Sequence, residues 1–541
     1  MTVAEPVLGI DFGTSYCRAA VTEVAESGRL TTRLLSVGKS AAMPSMAGLG
    51  AAGDWVAGDG AARLAAIHPA AVIAGAKKFL GRSAEDATPM THPDWGGPGV
   101  CAGRDGAALI NLRAPGTSSR GQVEVWPSRP IVELLRLLKA RANSLLGIPV
   151  SLCVMGVPAS FGPSRREVLA QAARLAGFEV LSLIDEGLAV ALARGVDQTR
   201  DRPSETLIVA DMGGGFTGLT VVARRGRRYN VLGSSGFDQA GDDLDDCLSG
   251  SLLEDMARQP GWPAEPDPVL IGRIRAVVTR AKAALSTQEV FAAVIPHTGR
   301  TFSSLIARSQ LERAAEDLTR RVRERARELW LRAEASSGQA KTLTLPLIVP
   351  AGGHGPATFF RRALELAMAD VRVCDTMPAD AVATGAALWG HAVVASEQEA
   401  SAAGGRLLAS RRSPWSLFLK GAGGVETLVP AHSTLPCKVS RSGLTTTTDN
   451  QERAILRIMQ GAGDDSATAI PIGEVRLAGI TPAPTGEARM RLDFALSTDG
   501  RLGVSVHDLS QRGLEASLHF YGSPSDQEAF PEAASSNPVP E

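Results

Sequence analysis

Residues 207–222, which read LIVADMGGGFTGLTVV, decide the fold of this chain. The β-branched run at the start predicts a buried strand, the glycines after Asp211 predict a turn, and the final residues predict a returning strand. Because Gly213, Gly214 and Gly215 leave the backbone bare, their N–H groups can approach an anion closely. Asp211 stands at the strand end, where a carboxylate can hold a hydrated divalent cation. A plain glycine turn explains this one stretch equally well.

A second stretch repeats the pattern near the N-terminus. Residues 7–21 read VLGIDFGTSYCRAAV: an apolar strand, then Asp11, then a turn made of Gly13, Thr14 and Ser15, then another apolar strand. Two such units predict a duplicated α/β domain in which each half contributes one phosphate-binding hairpin. Facing carboxylates and two glycine turns suit magnesium bound to a triphosphate.

The composition is typical of a soluble globular protein of three or four compact units. The chain has 541 residues, is 44% hydrophobic and carries a formal net charge of -1. This balance gives no support for nucleic-acid or membrane-surface binding. The six cysteines include no C-x-x-C pair, so neither a disulfide framework nor a zinc site is indicated. With no signal peptide and no apolar run of membrane-spanning length, we expect a cytoplasmic protein.

Hydrophobic periodicity predicts further elements around the hairpins. An amphipathic helix is expected around residues 70–80, where Lys77 and Lys78 locally suggest a solvated basic face. A second helix is expected over residues 130–147, followed by a buried strand over residues 152–157.

An ordered set of motifs resembles the heat-shock protein 70 chaperone family. Residues 154–195 share its Val-Pro-Ala-x-Phe strand end, its Arg-headed helix and its Ile-Asp/Asn-Glu turn into an Ala-rich helix. The two Asp-Gly hairpins resemble its phosphate loops, residues 351–354 its adenosine loop, and residues 377–387 the helix that follows. Because the matches keep family order from residue 7 to about 520, coincidence explains them poorly.

The resemblance implies an α/β two-lobed actin-like ATPase domain, built from duplicated ribonuclease-H-like halves, over residues 1–395. It implies a linker over residues 396–412, an all-β sandwich that binds peptides over 413–522, and a disordered tail without a helical lid over 523–541. The implied cofactors are ATP or ADP with Mg²⁺, and K⁺ as a further cation. The implied partners are unfolded or specific client polypeptides, together with J-domain and nucleotide-exchange co-chaperones.

The resemblance also assigns residues to the nucleotide site. Catalysis falls to Lys77, Glu186 and Asp211, because a transferring phosphate needs a nearby cation and an oriented water. The other implied residues are the phosphate-binding Gly13, Thr14, Ser15, Gly213, Gly214 and Gly215, the metal ligands Asp11 and Asp211, and the adenosine-binding Gly241, Lys282, Ser286, Gly352 and Gly353.

Two further groups of residues match family positions outside the nucleotide site. Pro158, Arg166, Leu407 and Leu408 match a relay between the domains, and Ala422, Leu444, Ala454, Leu456 and Ile458 match the lining of a peptide groove, although some also suit a sandwich core.

The leucines of the linker have unusual neighbours. Arg406, Arg411 and Arg412 surround them where typical relatives have aspartates. Docking of this segment therefore requires acids on the ATPase domain. We expect a small interdomain coupling, about 1 kcal/mol or less.

Several residues depart from the family pattern. Residues 216–218 read Phe-Thr-Gly in place of Thr-Phe-Asp, which removes a hydroxyl and a metal-side carboxylate. Thr279 replaces a ribose-binding glutamate, and Ala283 and Pro356 replace adenine-stacking arginines. His354 is interpreted as a hydrogen-bonding loop residue rather than a catalytic group. The phosphate contacts are thus kept while the base contacts are lost.

The sequence therefore predicts an atypical, lidless chaperone of the heat-shock protein 70 type, which hydrolyses ATP slowly and binds extended apolar peptides. The alternative is a nucleotide-degenerate, non-enzymatic protein-binding module on the same fold. A sugar kinase or a filament-forming actin relative explains less, since neither accounts for residues 415–521.

Overall fold

The computed structural model describes residues 5–24, 30–90, 97–103, 106–117, 122–196, 204–336, 343–368, 370–395, 406–461, 463, 465–508 and 514–521. Residues 396–405 of the predicted linker and the predicted disordered tail over 523–541 lie outside these ranges. Within the described ranges, every helix is too short or too polar to cross a membrane.

The N-terminal part of the chain folds into a mixed sheet with helices packed against it, here called the first lobe. Its strands are β1 (Leu8–Phe12), β2 (Tyr16–Val24), β3 (Leu30–Leu35), β4 (Met43–Pro44), β5 (Met46–Leu49), β6 (Trp55–Ala57), β7 (Val72–Ala74), β8 (Gly99–Ala102), β9 (Ala108–Arg113), β10 (Gln122–Val125), β11 (Leu152–Val157) and β12 (Glu179–Asp185). Its helices are α1 (Asp59–Ala65), α2 (Ala84–Ala87), α3 (Ser128–Leu146), α4 (Pro163–Leu175) and α5 (Glu186–Val196). The main sheet has the order β12-β11-β1-β2-β3.

The following part of the chain forms a second α/β unit, here called the second lobe. Its strands are β13 (Glu205–Met212), β14 (Thr217–Arg225), β15 (Arg228–Phe237), β16 (Val290–His297), β17 (Arg300–Ala307), β18 (Leu347–Ala351) and β19 (Arg372–Val373). Its helices are α6 (Gly241–Ala257), α7 (Pro268–Ala284), α8 (Arg308–Ala314), α9 (Glu316–Ser336), α10 (Thr358–Glu365) and α11 (Ala381–Val394).

The sheets of the two lobes share one pairing pattern. In each, an antiparallel hairpin (β1/β2 and β13/β14) begins with a strand that also pairs in parallel with a later strand (β11 and β18). Both predicted hairpins are therefore confirmed, as are the predicted strand at 152–157 and, as α3, the predicted helix at 130–147. Both hairpins consist largely of buried apolar residues. Each glycine turn therefore lies at the end of strands that are fixed in the core.

Helix α11 returns to the first lobe and packs closely on β1 and α5. A Cβ atom added to Gly9 would lie 2.1 Å from the backbone nitrogen of Ala387, and one added to Gly385 would lie 1.8 Å from the carbonyl oxygen of Ala189. Both distances are shorter than any real contact, so each position needs glycine for the backbones to meet. This close contact of α11 with the first lobe joins the two lobes.

The predicted helix around residues 70–80 is wrong. The chain instead forms a short 3-10 turn at Pro69–Ala71, strand β7, and a second 3-10 turn at Ala76–Phe79. Gly75 stands between them with a φ of 64°, a left-handed conformation that interrupts a helix. The same turn carries Lys77 into the protein, where only 2% of its surface is exposed, so a solvated basic face is also wrong for this residue.

The C-terminal part forms the β domain, most of whose strands lie in two facing sheets. The strands of this part are β20 (Leu408–Arg412), β21 (Ser416–Gly421), β22 (Gly424–Val429), β23 (Thr434–Leu435), β24 (Cys437–Leu444), β25 (Arg453–Gly461), β26 (Ile470–Ala478), β27 (Met490–Leu496), β28 (Leu502–Asp508) and β29 (Glu515–Phe520). One sheet has the order β22-β21-β25-β26-β29 and the other β24-β27-β28, and both contribute to one apolar core. This is the packing of a β-sandwich.

Strand β20 connects the second lobe to the β domain. It pairs in parallel with β15 of the second lobe and antiparallel with β23. The last residues of the predicted linker are therefore a strand of the second-lobe sheet in this structure.

Candidate functional site between the lobes

The two glycine turns face each other across the cleft between the lobes. A Cβ atom at Gly214 would lie 2.3 Å from Ser15 Oγ, and one at Gly215 would lie 2.9 Å from Thr14 Oγ1. Ser45 braces the first turn, because its hydroxyl donates to the Gly13 carbonyl oxygen at 2.7 Å. The two sets of phosphate-binding residues predicted from the sequence thus lie together.

Lys77 lies in the floor of this cleft, paired with a carboxylate. Its Nζ atom is 2.8 Å from Glu186 Oε1. The same Nζ atom lies 5.7 Å from the ring centroid of Phe161 and 5.9 Å from that of Phe216, and the two rings pack edge to face with centroids 5.3 Å apart. The ammonium group is therefore fixed by one ion pair and two aromatic faces.

Three carboxylates converge beside this lysine. Burial, and then the charge of Glu186, raise the pKa of Asp11 to about 6, against the smaller opposing effects of Arg18 and Lys77. Burial, followed by the charges of Glu186 and Asp11, raises the pKa of Asp211 well above its ordinary value. The cleft thus has an excess of negative charge, which a bound cation would relieve.

The donor set at this place fits magnesium bound together with phosphate. In the part of the chain that the structure describes, no three His, Cys, Asp or Glu side chains are placed so that they could together hold a metal ion. Mg²⁺ is nevertheless commonly held by one or two carboxylates, with waters and substrate phosphates completing its coordination. Asp11 and Asp211, buried at the ends of β1 and β13, are the residues that would hold it.

The carboxylate repulsion predicts a stability change in Asp211→Asn. Because a raised pKa means that the folded state binds protons more tightly than the unfolded state, ligand-free stability should fall as pH rises from about 4 to about 6, with Asp11 as one source. At pH 7.5 the isosteric change should therefore raise the ligand-free free energy of unfolding by an amount on the order of 1 kcal/mol, the usual scale of a single substitution. It should also shrink the thermal shift produced by Mg-ATP.

Thermal unfolding of both forms with and without Mg-ATP measures these effects. The exposed Asp375→Asn is a matched control that should change neither quantity. Lower ligand-free stability in Asp211→Asn would contradict the predicted repulsion.

Three of the five predicted adenosine-binding residues lie beside the second glycine turn: Gly241, Lys282 and Gly352. Lys282 Nζ donates to the Gly241 carbonyl oxygen at 2.6 Å and lies 2.9 Å from Asp245 Oδ1. Gly352 adjoins Asp211, because a Cβ atom added there would lie 2.3 Å from Asp211 Oδ1. Ser286 follows the end of α7 and Gly353 is exposed in the 351–357 loop, and neither is drawn into this cluster by a side-chain contact.

A buried charge network joins the first lobe to the β domain. Arg166 Nη2 donates to Asp185 Oδ1 at 2.5 Å, and Arg166 Nη1 donates to the Asp499 carbonyl oxygen at 2.9 Å. Arg411 of β20 places Nε 3.9 Å from Asp185 Oδ2. Although burial acts in the opposite direction, the charges of Arg166 and Arg411 hold the pKa of Asp185 below its usual value. An acid for Arg411, one of the linker arginines, is thus present in the first lobe.

Other contacts hold the β domain to the start of α4. The Trp415 indole Nε1 donates to the Phe161 carbonyl oxygen at 3.2 Å, and the Phe161 amide donates to the Pro158 carbonyl oxygen at 3.0 Å. Phe161 therefore contacts Lys77 through its ring and the β domain through its backbone. A cavity of about 530 Å³ also lies at this interface, between Glu167 and β24, away from the carboxylates of the cleft.

The two linker leucines have different surroundings. Leu407 packs against the buried cluster that includes Val209 and Tyr229 of the second lobe, whereas Leu408 is 40% exposed. Leu407 directly precedes β20 and Leu408 is its first residue, so the two side chains point to opposite faces. Of the two leucines matched to the interdomain relay, Leu407 is therefore the one that packs against the apolar cluster of the second lobe.

The five predicted groove residues are divided between the surface and the core. Leu456 is half-buried, and its Cδ2 atom lies 3.1 Å from the position of a Cβ atom at Gly421, next to the exposed Ala422. Ala454 and Leu444 are also half-buried against the sandwich core. Ile458 is fully buried in that core, so a surface peptide cannot contact it in this conformation.

Sequence reasoning missed three residues that shape the site. Ser45 supports the first glycine turn, Asp245 holds Lys282, and Phe161 joins Lys77 to the β domain. Each of them contacts a residue that is distant in sequence, so a local sequence pattern cannot predict the contact. Phe161 alone had a signal, since it belongs to the Val-Pro-Ala-x-Phe motif.

Two glycine hairpins face each other, with a buried lysine and three carboxylates between them. This arrangement is typical of proteins that bind a nucleotide in a cleft between two lobes, and here a β-sandwich follows the lobes. The family model for Hsp70 protein matches residues 7–528, and this chain belongs to the heat-shock protein 70 family of chaperones. It is 29% identical over 520 residues to a protein of Bordetella petrii named chaperone protein HscA homolog, covering 94% of this chain and 77% of that protein. Members of the family are ATPases.

Proposed function

We propose that this chain binds and slowly hydrolyses ATP in the cleft between its lobes and uses that cycle to control peptide binding by the β domain. The observation that carries the proposal is the buried pair of Lys77 with Glu186, 2.8 Å apart, beside the carboxylates of Asp11 and Asp211. A fixed cation among buried acids suits a reaction in which negative charge spreads over a transferring phosphate.

Each residue has a distinct proposed role. The backbone amides of the two glycine turns bind phosphate oxygens, and Lys77 donates to the transferred phosphate while Glu186 orients its ammonium group. Asp211 accepts a hydrogen bond from the attacking water and positions it. Mg²⁺, when bound by Asp11 and Asp211, supplies charge neutralisation for the phosphates.

Binding and single-turnover kinetics test this proposal. We expect Mg-ATP to bind to the purified full chain more weakly than to a relative with stacking arginines, since each lost stack costs about 0.5–2 kcal/mol. We also expect GTP to bind almost as well as ATP. Slow conversion of bound ATP to ADP supports the proposal, and absence of nucleotide binding at millimolar concentration overturns it.

The chemistry of residues 216–218 favours the alternative function, a nucleotide-degenerate protein-binding module. Phe216 is 6% exposed and presents a ring where the family has a hydroxyl, and Gly218 has no carboxylate. ATP that binds without turnover would favour this second function.

Restoring the missing acid with Gly218→Asp is expected to raise the hydrolysis rate. Gly218 is paired with Asp211 across the β13/β14 hairpin, so the new carboxylate would project on the same face, and a Cβ atom added there meets nothing within 4 Å. A second metal-side carboxylate should tighten Mg²⁺ binding and increase the rate about tenfold, which corresponds to about 1.4 kcal/mol of transition-state stabilisation.

The matched control is Gly218→Asn, which adds nearly the same volume without charge. Equal rates in the two variants would show that the carboxylate has no role.

We further propose that the β domain binds short extended apolar peptides with micromolar affinity and fast exchange, through backbone pairing and a shallow groove. Unfolded or specific client polypeptides are then its partners, with J-domain and nucleotide-exchange proteins as co-chaperones. The Gly421 turn beside Leu456 and the exposed Ala422 support a groove at that end of the sandwich.

Leu456→Asp is expected to weaken peptide binding by tenfold or more, because the carboxylate replaces half-buried apolar surface at the proposed groove. Ile455→Asp is the matched control, since Ile455 is adjacent in sequence but 61% exposed. Peptide titration followed by fluorescence anisotropy compares the two. A similar loss in both variants would place the groove elsewhere.

A further inference from the structure

The side chain of His354 is anchored to the second glycine turn. Its Nδ1 atom lies 2.9 Å from the carbonyl oxygen of Gly213, and its backbone amide donates to the Met212 carbonyl oxygen at 3.0 Å. A carbonyl oxygen only accepts hydrogen bonds, so Nδ1 carries the hydrogen. The expectation of a hydrogen-bonding loop histidine is confirmed, and the contact fixes which nitrogen is protonated.

The other side of the ring packs on bare backbone. A Cβ atom added to Gly241 would lie 1.9 Å from His354 Cε1 and 2.4 Å from Nε2, so only glycine leaves room for the imidazole. The Gly241 carbonyl oxygen is in turn held by Lys282. The ring therefore forms part of the cleft wall, between the phosphate-binding turn and the predicted adenosine-binding residues.

The remaining ring nitrogen is a hydrogen-bond acceptor. Burial, and then the positive charge of Lys282, lower the pKa of His354 to about 3, so the imidazole is neutral at physiological pH. A neutral ring with its hydrogen on Nδ1 has a lone pair on Nε2. In the described part of the chain, Nε2 has no hydrogen-bond partner, and it is not among the side-chain atoms buried without one. It therefore keeps some contact with solvent and can accept a hydrogen bond from outside the chain.

Nearby polar groups on the same wall are already engaged. The Thr279 Oγ1 atom lies 3.0 Å from the Arg275 carbonyl oxygen and 3.3 Å from Asp245 Oδ2, so its single hydrogen is engaged by these acceptors. Asp245 Oδ1 lies 2.9 Å from Lys282 Nζ. The His354 Nε2 atom is thus an open acceptor next to the phosphate-binding turn.

We propose that His354 is a specificity-determining residue that reads the sugar of the bound nucleotide, with Nε2 accepting a hydrogen bond from a ribose hydroxyl group. This inference rests on the proposed nucleotide site. The sugar is the group that follows the phosphates of a nucleotide, and its hydroxyls are donors that match an open acceptor at that place. With Ala283 and Pro356 offering no cation to stack on a base, the chain selects ribonucleotides by their sugar rather than by their base.

The preference for ribose should be modest and measurable. One neutral hydrogen bond corresponds to a change of roughly 2- to 10-fold in affinity. We expect Mg-ATP to bind the wild-type chain more tightly, by this factor, than at least one of Mg-2′-deoxy-ATP and Mg-3′-deoxy-ATP. ATP and GTP should differ less than ATP and the deoxy analogue.

Calorimetric titration of the full chain with these nucleotides tests the inference in two variants. His354→Phe keeps a ring without an acceptor, and His354→Asn keeps a donor for the Gly213 carbonyl oxygen but removes the acceptor at Nε2. Each folded variant, as judged by its melting temperature, should bind ATP and the deoxy analogue equally, with the affinity for the deoxy analogue unchanged from wild type. A purely structural role would weaken both nucleotides together. The exposed His68→Phe is the matched control and should keep the preference.

The possible results separate this inference from the proposed function. If wild type binds ATP and both deoxy analogues equally, or if the preference survives in either His354 variant, the sugar-reading role is overturned while the nucleotide site stands. If wild type binds no nucleotide, the proposed function fails and the inference fails with it.

Discussion

Lys77→Met is expected to lower the single-turnover rate of ATP hydrolysis about a hundredfold or more while leaving ATP affinity within a few-fold of wild type. The methionine side chain keeps most of the lysine volume between Phe161 and Phe216, but it offers no charge to the transferring phosphate. The effect falls on the rate because the ammonium group opposes charge that develops most in the transition state. Rapid mixing of enzyme in excess over labelled ATP measures it.

Lys39→Met is a suitable control, because Lys39 belongs to the same lobe and is exposed. Its rate should match that of wild type. A melting temperature near the wild-type value would show that the half-buried Glu186 tolerates the loss of its partner. Unchanged hydrolysis in a folded Lys77→Met protein would remove Lys77 from the proposed mechanism.

Arg411→Asp should abolish the effect of ATP on peptide affinity. The sequence led us to expect a small coupling, because the linker charge has changed sign, but the contact between Arg411 and Asp185 supplies a matching acid. We therefore expect wild type to show a coupling of about 1–3 kcal/mol, a change of roughly 5- to 150-fold in peptide affinity on ATP binding. Two acids facing each other in a buried site would undock β20, since breaking a buried ion pair costs about 3–5 kcal/mol.

A second substitution provides the control. Arg411→Asp combined with Asp185→Asn restores the pattern of typical relatives, which have an acid in the linker and either Asp or Asn in the Ile-x-Glu turn. The double variant should recover at least half of the coupling free energy, measured as the ratio of peptide dissociation constants with and without saturating ATP. Equal coupling in wild type and Arg411→Asp would show that this contact does not transmit nucleotide state.

The hairpins of the cleft could be predicted because their signals are local. A β-branched run, an aspartate and consecutive glycines specify strand, carboxylate and turn within a single stretch, and both hairpins have the predicted form. The segment around Lys77 has a local pattern that predicts the wrong structure. Its apolar spacing suits a helix, but Gly75 adopts a left-handed conformation and the segment pairs with β5.

The contacts that complete the site could not be predicted, because they join distant residues. The Lys77–Glu186 pair spans 109 residues, and the contact of Arg166 with the Asp499 carbonyl oxygen spans 333. Only the resemblance to a known family linked Lys77 to Glu186 before the structure did. The exposure of Leu408 could not be predicted for a simpler reason. The side of the linker that is buried is determined only when the linker pairs with another strand.

The hydrogen bonding of β20 determines how the two parts of the molecule can separate under load. Its parallel pairs with β15, which align Leu408, Ala409 and Ser410 with residues 228–230, lie side by side along the strand axis. Tension that draws the β domain along this axis would load the pairs together in shear, so they would fail as a group above a threshold force rather than open one after another. A polypeptide that pulls on the β domain would therefore separate the β domain from the second lobe abruptly, once the force exceeds this threshold.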